Sequence, residues 1–230
     1  SNNKVLPVVT NVALEAGIKS LFDQTMAEFG AVHLLFNNAG VGGGGNAWTA
    51  TQKDWDWVLG VNLHSVIFGL RHFIPQMLAQ NEPCHIVNTA SVAGLLGGTT
   101  NALYSVTKHG VVALTENLFN DLKAVTDQVH CSVLCPGFVN TNIFDSGRNR
   151  PADLANDGPE PIRSKEDEER IAAFREILKQ GLQPAQLADI VFDSIRAERL
   201  YILTHPDFNE LIRVRAGNIT SGTNPAPMGF

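Results

Sequence analysis

Apolar positions along the chain follow two patterns that alternate. Short continuous apolar runs are succeeded by longer segments in which apolar residues recur every three or four positions, as on a helix with one buried face. Continuous apolar runs are typical of strands that are covered on both faces of a sheet. The pattern therefore predicts strands and helices in alternation.

The apolar runs predict strands at residues 5–9, 32–36, 85–88, 129–135 and 200–203. Helical spacing predicts helices at residues 13–29, 51–80, 101–125, 165–179, 184–198 and 206–219. The glycine run 42–45 has no Lys-Ser/Thr pair after it, so it is a predicted flexible loop rather than a phosphate-binding P-loop. The proline-containing start of the 142–181 region is a predicted mobile loop, and residues 220–230 are a predicted polar tail.

Composition narrows the class of protein. A chain of 230 residues is long enough for one domain with a sizeable core, and no repeat or second domain is visible. The 17 basic and 23 acidic residues give a net charge of -6 without a basic stripe, which argues against a nucleic-acid partner. No apolar run approaches the roughly 20 residues of a membrane span, so no membrane partner is expected.

The cysteines and the first seven residues bear on the cellular location of the protein. Cys131 and Cys135 fall in one predicted strand, where four residues at about 3.3 Å each separate them by about 13 Å, too far for a disulfide. Residues 1–7 lack the charged and apolar parts of a signal peptide. We therefore expect a cytoplasmic protein with reduced cysteines. The seven histidines show no metal-ligand spacing, so no metal site is predicted.

One short stretch, residues 91–108, contains side chains that could take part in catalysis. Tyr104 and Lys108 are four residues apart, so they share one face of a predicted helix. A nearby ammonium favours the phenolate and is expected to lower the pKa of Tyr104 from about 10. Ser91 follows an apolar strand and precedes a turn, where its hydroxyl can bind the same oxygen that the tyrosine protonates. The Tyr-x-x-x-Lys spacing alone is weak, because such pairs also occur on solvated helix faces.

This stretch resembles the active site of the short-chain dehydrogenase/reductase family. Ser91, Tyr104 and Lys108 match the family's catalytic serine, tyrosine and lysine in order and spacing. Asn62 matches its active-site asparagine, which is thought to hold a water in a proton relay behind the lysine. The sequence Asn37-Asn38-Ala39-Gly40, after a strand, is a second family hallmark. The resemblance spans residues 5–203 and implies a single, doubly wound α/β domain with a parallel sheet.

The resemblance also implies a bound NAD or NADP. The dinucleotide would contact these residues: Asn11, Val12, Asn38, Ala39, Gly40, Tyr104, Lys108, Pro136, Gly137, Val139 and Thr141. Among them, Val139 and Thr141 would meet the nicotinamide carboxamide, and Asn11 stands where an aspartate usually binds the adenine amino group. Residues 142–181 would form the substrate lid.

The start of the chain departs from the family pattern. A dinucleotide fold opens with a strand, a Gly-rich turn and a helix, and no Gly-x-x-x-Gly-x-Gly pattern precedes Asn11. Residues 5–9 resemble the family's third strand. We therefore expect an N-terminally incomplete domain, short by about 40 to 60 residues. The choice between NAD and NADP depends on the end of the second strand, which is absent.

The activity expected is the interconversion of a carbonyl and a secondary alcohol on a small molecule. Two alternatives stay open: a cofactor-binding regulator without turnover, and an epimerase or dehydratase of the family's extended relatives. The predicted helices 51–80 and 101–125 carry apolar residues on more than one stripe. Together with the resemblance, this predicts a homodimer or homotetramer that pairs them, through the residues Phe68, Leu70, Phe73, Ile74, Met77, Leu114, Phe119 and Leu122.

Overall fold

The computed structural model describes residues 4–43, 45–97, 101–158 and 164–226, except the side chains of residues 167 and 170. Within them a parallel four-stranded sheet has the order β1-β2-β3-β4. The strands are β1 (Leu34–Asn37), β2 (Cys84–Thr89), β3 (Val129–Cys135) and β4 (Tyr201–Leu203). The predicted α/β class with a parallel sheet is confirmed.

Helices lie between and beside these strands in sequence. They are α1 (Glu15–Phe29), α2 (Gln52–Leu59), α3 (Ser65–Gln80), α4 (Ala102–Val125), α5 (Lys165–Lys179), α6 (Pro184–Arg196) and α7 (Phe208–Ser221). Short 3₁₀ segments cover Val92–Gly94, Ile143–Asn149 and Ala152–Leu154. Of the predicted tail, residues 220 and 221 end α7, and residues 227–230 lie outside the described part of the chain.

Helices cover both faces of the sheet, because successive side chains of a strand point to opposite sides. Ile86 faces a core built with α1, α3 and α4, which includes Phe73 and Val111. Its neighbour Val87 faces the other side, where it packs in a smaller cluster with Val191 of α6. This two-sided burial explains why the strand sequences are continuously apolar.

The predicted strand at residues 5–9 is wrong. The segment forms no strand, and Val5 and Val9 are 80% and 106% exposed. A strand needs a neighbour whose backbone completes its hydrogen bonds. None of the described strands pairs with residues 5–9, and the edge strands of the sheet are β1 and β4.

The single helix predicted over residues 51–80 contains a π-helical turn at Gly60–His64, which separates α2 from α3. Among the described residues, Gln52–Gln80 is also one helical stretch long and apolar enough to cross a membrane by length and composition alone. Half of its most apolar window is buried inside the protein, as in the core helix of a globular domain. Length and apolar composition are therefore weak evidence that this helical stretch spans a membrane.

The structure buries much of the apolar surface that the sequence pattern left free on α3 and α4. Leu70, Phe73, Met77 and Leu122 are buried in the main core. The other apolar residues that suggested a second contact surface are partly buried against that core, and they are Phe68, Ile74, Leu114 and Phe119. The apolar surface left for a partner is smaller than the sequence pattern suggested.

The loops differ from prediction in one respect. Part of the 142–158 segment, predicted to be a mobile loop, forms the 3₁₀ turns given above. Arg150 binds this segment to α2, because its Nη1 donates to Asp54 Oδ1 at 2.7 Å and its Nε donates to Leu154 O at 2.7 Å. Residues 159–163 and Gly44 lie outside the described residues. Cys84, Cys131 and Cys135 are all free and buried.

Candidate active site

The carboxyl ends of the parallel strands meet at one edge of the sheet, the usual ligand crevice of this architecture. Asn38 follows β1, Ser91 follows β2, and Pro136 follows β3. Thr89 Oγ1 donates to Asn38 Oδ1 at 3.0 Å, and the N–H of Val92 donates to Pro136 O at 3.0 Å. Three segments distant in sequence are thus bonded to one another at this edge.

The first turns of α4 bring Tyr104 and Lys108 to the same edge. Asn101 caps the helix, and its Oδ1 accepts from Tyr104 N at 3.2 Å. Lys108 Nζ lies 5.5 Å from the centroid of the Tyr104 ring. The lysine is only 3% exposed, and its Nζ donates to Thr89 O at 2.8 Å. The predicted Tyr–Lys pair is therefore present on one face of one helix.

The pKa expected for Tyr104 from its spacing to Lys108 is corrected by the structure. Burial raises the pKa of Tyr104, and a hydrogen bond with the Ser91 side chain opposes the rise only in part. Burial also lowers the pKa of Lys108 to about 8, against a smaller opposing effect of Cys135. Desolvation disfavours the charged form of both groups, and sequence spacing carries no information on burial. Tyr104 is accordingly a neutral phenol at neutral pH.

Ser91 begins the 3₁₀ turn Val92–Gly94, and its Oγ accepts from Ala93 N at 3.1 Å. The turn packs directly on α4: a Cβ at Gly94 would lie 2.5 Å from Lys108 O. Only a residue without a side chain permits this approach. Gly94 therefore holds the serine turn against the helix that carries the Tyr–Lys pair.

Asn62 lies in the π-helical turn and is 0% exposed. Its Oδ1 accepts from Val41 N at 2.8 Å, and its Nδ2 donates to Val41 O at 2.9 Å and to Thr107 Oγ1 at 3.2 Å. Thr107 Oγ1 in turn donates to Tyr104 O at 2.8 Å. The carboxamide thus joins the loop after β1 to the helix of the Tyr–Lys pair, and both of its donor hydrogens are used by protein atoms.

Gly40, in the loop after β1, lies next to the side chains of both Asn62 and Lys108. A Cβ at Gly40 would lie 3.6 Å from Asn62 Oδ1 and 3.7 Å from Lys108 Nζ. Glycine therefore keeps open the space in front of the lysine. Asn38 and Ala39, which precede it, are exposed at the same edge of the sheet.

The remaining predicted cofactor residues lie in two places. Val139 is buried, Thr141 is exposed, and both belong to the segment after β3. Asn11 uses its Oδ1 locally, accepting from Ala13 N at 3.1 Å, and Val12 packs against the main core. The described contacts do not join Asn11 or Val12 to the Tyr–Lys pair.

Sequence reasoning missed Thr89 and Thr107, which bond to Lys108 and Asn62. Thr107 is fully buried beside Lys108 on a helix face that the apolar pattern assigns to the core. A polar residue at such a position is a usable signal, because a buried hydroxyl needs a partner. Among the described residues, no group of three or more His, Cys, Asp and Glu side chains is placed to hold a metal ion.

Comparison with known proteins agrees with this geometry. The family model for the short chain dehydrogenase matches residues 1–152. A short-chain dehydrogenase/reductase from Burkholderia phymatum, solved in complex with NAD, superposes with a TM-score of 0.92 at 44% sequence identity. That match covers 100% of this chain and 81% of the other.

Two relatives known by activity are also similar. A CLA biosynthesis dehydrogenase/reductase of Lactiplantibacillus plantarum is 33% identical over 223 residues, covering 96% of this chain and 78% of the relative. Human 15-hydroxyprostaglandin dehydrogenase [NAD(+)] is 33% identical over 145 residues, covering 62% of this chain and 52% of the relative. With the family model matching more than half of its length, this chain belongs to the short-chain dehydrogenase/reductase family.

Proposed function

We propose that the protein is an NAD-dependent oxidoreductase that interconverts a carbonyl and a secondary alcohol. The observation that carries this proposal is the convergence of Ser91, Tyr104 and Lys108 at the carboxyl edge of the sheet. A proton donor, a hydroxyl beside it and a buried amine are the groups that such a reaction requires of the protein.

The described residues fit the nicotinamide and ribose half of the cofactor. Gly40 leaves space in front of Lys108, and the ammonium there suits ribose hydroxyls. Asn38 and Ala39 border the same space. The preference for NAD over NADP is supported by relatives alone: one solved relative holds NAD, and one related enzyme is named for NAD(+).

In this proposal, side chains of the protein carry out the proton transfer. The bound nicotinamide supplies the hydride for carbonyl reduction or accepts it in alcohol oxidation. Tyr104 donates its phenolic proton to the carbonyl oxygen, and Ser91 orients that oxygen. Because its pKa is raised, Tyr104 is protonated at neutral pH, which suits reduction there and oxidation at higher pH.

Asn62 takes a different part from the one its side chain first suggests. Its amide hydrogens bond to Val41 and Thr107, so the carboxamide has no hydrogen left to donate to a relay water behind Lys108. Its carboxamide keeps the loop of Gly40 in place. The π-helical turn is consistent with this role, since such turns occur frequently at functional sites.

The substrate is proposed to be a small molecule with an apolar part. Phe174 of α5 packs on Phe138 and Phe144, with ring centroids 5.4 Å and 4.9 Å apart. These rings come from the predicted lid and from the segment after β3. We propose that these rings and Leu95, which follows the serine turn, form the apolar wall of the substrate pocket.

Turnover on a panel of ketones and aldehydes tests this proposal. The full-length protein is mixed with NADH or NADPH, and loss of the reduced cofactor is followed by its absorbance. We expect turnover of at least one carbonyl with NADH and slower turnover with NADPH. Tight cofactor binding without turnover across the panel would instead favour a cofactor-binding regulator.

A further inference from the structure

His205 follows β4 and binds two consecutive residues of another part of the chain. Its Nδ1 lies 3.1 Å from Gly137 N, and its Nε2 lies 3.0 Å from Phe138 O. Both partners belong to residues 136–140, which we call the 136–140 segment. One imidazole ring thus contacts an N–H and a C=O of a segment 67 and 68 positions away.

The partners fix the protonation of the ring. A backbone N–H can only donate and a carbonyl can only accept, so Nδ1 must be bare and Nε2 must carry the hydrogen. Thr204 Oγ1, 2.7 Å from the same Nδ1, then donates to it as well. His205 is therefore a neutral imidazole in a single tautomer, with both nitrogens used.

The contact is also close in space. A Cβ at Gly137 would lie 2.8 Å from His205 Cγ and 2.8 Å from Phe208 Cε2. Position 137 therefore has to be glycine for the ring to reach the backbone. Phe208, the first residue of α7, packs against both His205 and Phe138, with centroids 6.2 Å and 5.9 Å apart.

Other bonds hold Pro136, Phe138 and Asn140 of the 136–140 segment, but not the N–H of Gly137. Pro136 O accepts from Val92 N at 3.0 Å, next to Ser91. Leu182 bonds the far end, since its O accepts from Asn140 N at 3.0 Å and its N donates to Phe138 O at 3.0 Å. Among these contacts, only His205 binds the N–H of Gly137. Removing the ring leaves that half-buried donor without its partner.

We infer that His205 is a positioning residue that sets the 136–140 segment for binding the nicotinamide end of the cofactor. The inference rests on the proposed function and on the family resemblance, which implies that Val139 of this segment meets the carboxamide. His205 acts through the segment and does not touch the reacting atoms. Its loss should therefore weaken recognition of the nicotinamide while leaving recognition of the rest of the dinucleotide unchanged.

Two ligands separate this role from a merely structural one. In the full-length protein, the Kd values of NADH and of ADP-ribose, which lacks the nicotinamide, are measured for wild type and for His205→Leu. We expect the Kd of NADH to rise about ten-fold, as for a lost hydrogen bond that leaves a half-buried donor unpaired. The Kd of ADP-ribose should stay within about two-fold, and kcat should fall with NADH affinity.

Partial replacements and a control sharpen the result. His205→Asn keeps an acceptor near the Nδ1 position, and His205→Gln keeps a donor near the Nε2 position, so each should lose less NADH affinity than His205→Leu. If His205→Leu fails to fold, the asparagine and glutamine variants still test whether His205 positions the 136–140 segment. His33→Leu, which removes an exposed histidine paired with Glu82 just before β1, should change neither Kd.

The inference would be overturned if the affinities for NADH and ADP-ribose fell equally, in step with a loss of thermal stability. Unchanged NADH affinity in all three His205 variants would overturn it as well. A wild-type protein that binds no NADH would contradict the proposed function as well. A wild type that binds and turns over NADH, with indifferent His205 variants, contradicts only the role of His205.

Discussion

Lys108 Nζ lies 5.5 Å from the centroid of the Tyr104 ring, one helical turn along α4, and donates its hydrogen bond to Thr89 O. The amine is therefore beside the phenol without being bonded to it in this arrangement. Burial dominates the pKa of both groups, since it raises that of Tyr104 and lowers that of Lys108. The pair can be tested separately for catalysis and for stability.

Substituting Lys108→Met keeps the aliphatic stem and removes the charge. We expect the pH profile of alcohol oxidation to move to higher pH, because the phenolate of Tyr104 loses its nearby cation. The measurement is kcat/KM for oxidation against pH. Lys123→Met, a lysine on the same helix that packs over Phe119, is the control and should leave the profile in place. A lower rate with an unmoved profile would mean that Lys108 acts only by binding the ribose.

The same substitution has a second, independent signature in stability. The pKa of Lys108 is about 8 in the folded protein and 10.5 ordinarily, so between these values the unfolded chain binds more protons. Stability contributed by this group therefore rises with pH across that window. Relative to Lys108→Met, wild type should gain about 2–3 kcal/mol between pH 7 and pH 10. Urea unfolding of both proteins at the two pH values checks this, and a constant difference would contradict the burial of a charged lysine.

The contact between α2 and the segment after Asn149 gives a further stability prediction. Burial tends to raise the pKa of Asp54, but hydrogen bonds from the Thr51 backbone, Asn156 and Arg150 outweigh it and lower the pKa to about 2. The guanidinium of Arg150 also lies 5.2 Å from the Trp57 ring. Asp54 is 19% exposed, so its interactions are partly screened by solvent.

Asp54→Asn should therefore destabilise the protein by about 1–2 kcal/mol at pH 7. A carboxylate with a lowered folded pKa contributes stability above its ordinary pKa of 3.8 and loses it as the pH falls towards 2. The difference between wild type and variant, followed by urea unfolding, should shrink over that interval. Asp153→Asn, an exposed carboxylate in the same segment, is the matched control and should change stability little.

Much of the fold follows from local pattern. The strand at residues 129–135 and the helix at residues 165–179 were predicted with the bounds that the structure has. A strand buried on both faces and an amphipathic helix each leave a periodic signal in the sequence. The segment at residues 5–9 carries the same apolar signal and forms no strand, because a strand also depends on a neighbour that local pattern does not reveal.

The sequence indicated candidate residues for the site but carried no information on their electrostatics. Spacing and resemblance identified Ser91, Tyr104 and Lys108, and the structure brings them to one edge. The raised pKa of Tyr104 follows from burial, which is a property of the tertiary fold. The bonds of Asn62 to Val41 were equally hidden, since they join residues 21 positions apart through a π-helical turn that has no clear local signal.

Assembly is a separate prediction. We propose that α3 and α4 form the interface of a homodimer or homotetramer, through the partly buried residues that include Phe68 and Leu114. Light scattering of the full-length protein at micromolar concentration should give two or four times the chain mass. Ala113→Glu, which places a charge on the exposed face of α4, should lower that mass. A monomer in the wild type would rule the interface out.

The central claim is that Tyr104 is the acid–base group of a carbonyl–alcohol oxidoreductase. The direct measurement is turnover of NADH with the best carbonyl of the panel by wild type, Tyr104→Phe and Tyr201→Phe. The second of the two tyrosines bonds Glu116 at the exposed end of β4 and serves as the control. We expect Tyr104→Phe to lose about 10²–10⁴-fold in kcat with an unchanged melting temperature, and Tyr201→Phe to keep wild-type kcat. Near wild-type turnover by Tyr104→Phe would contradict the assignment.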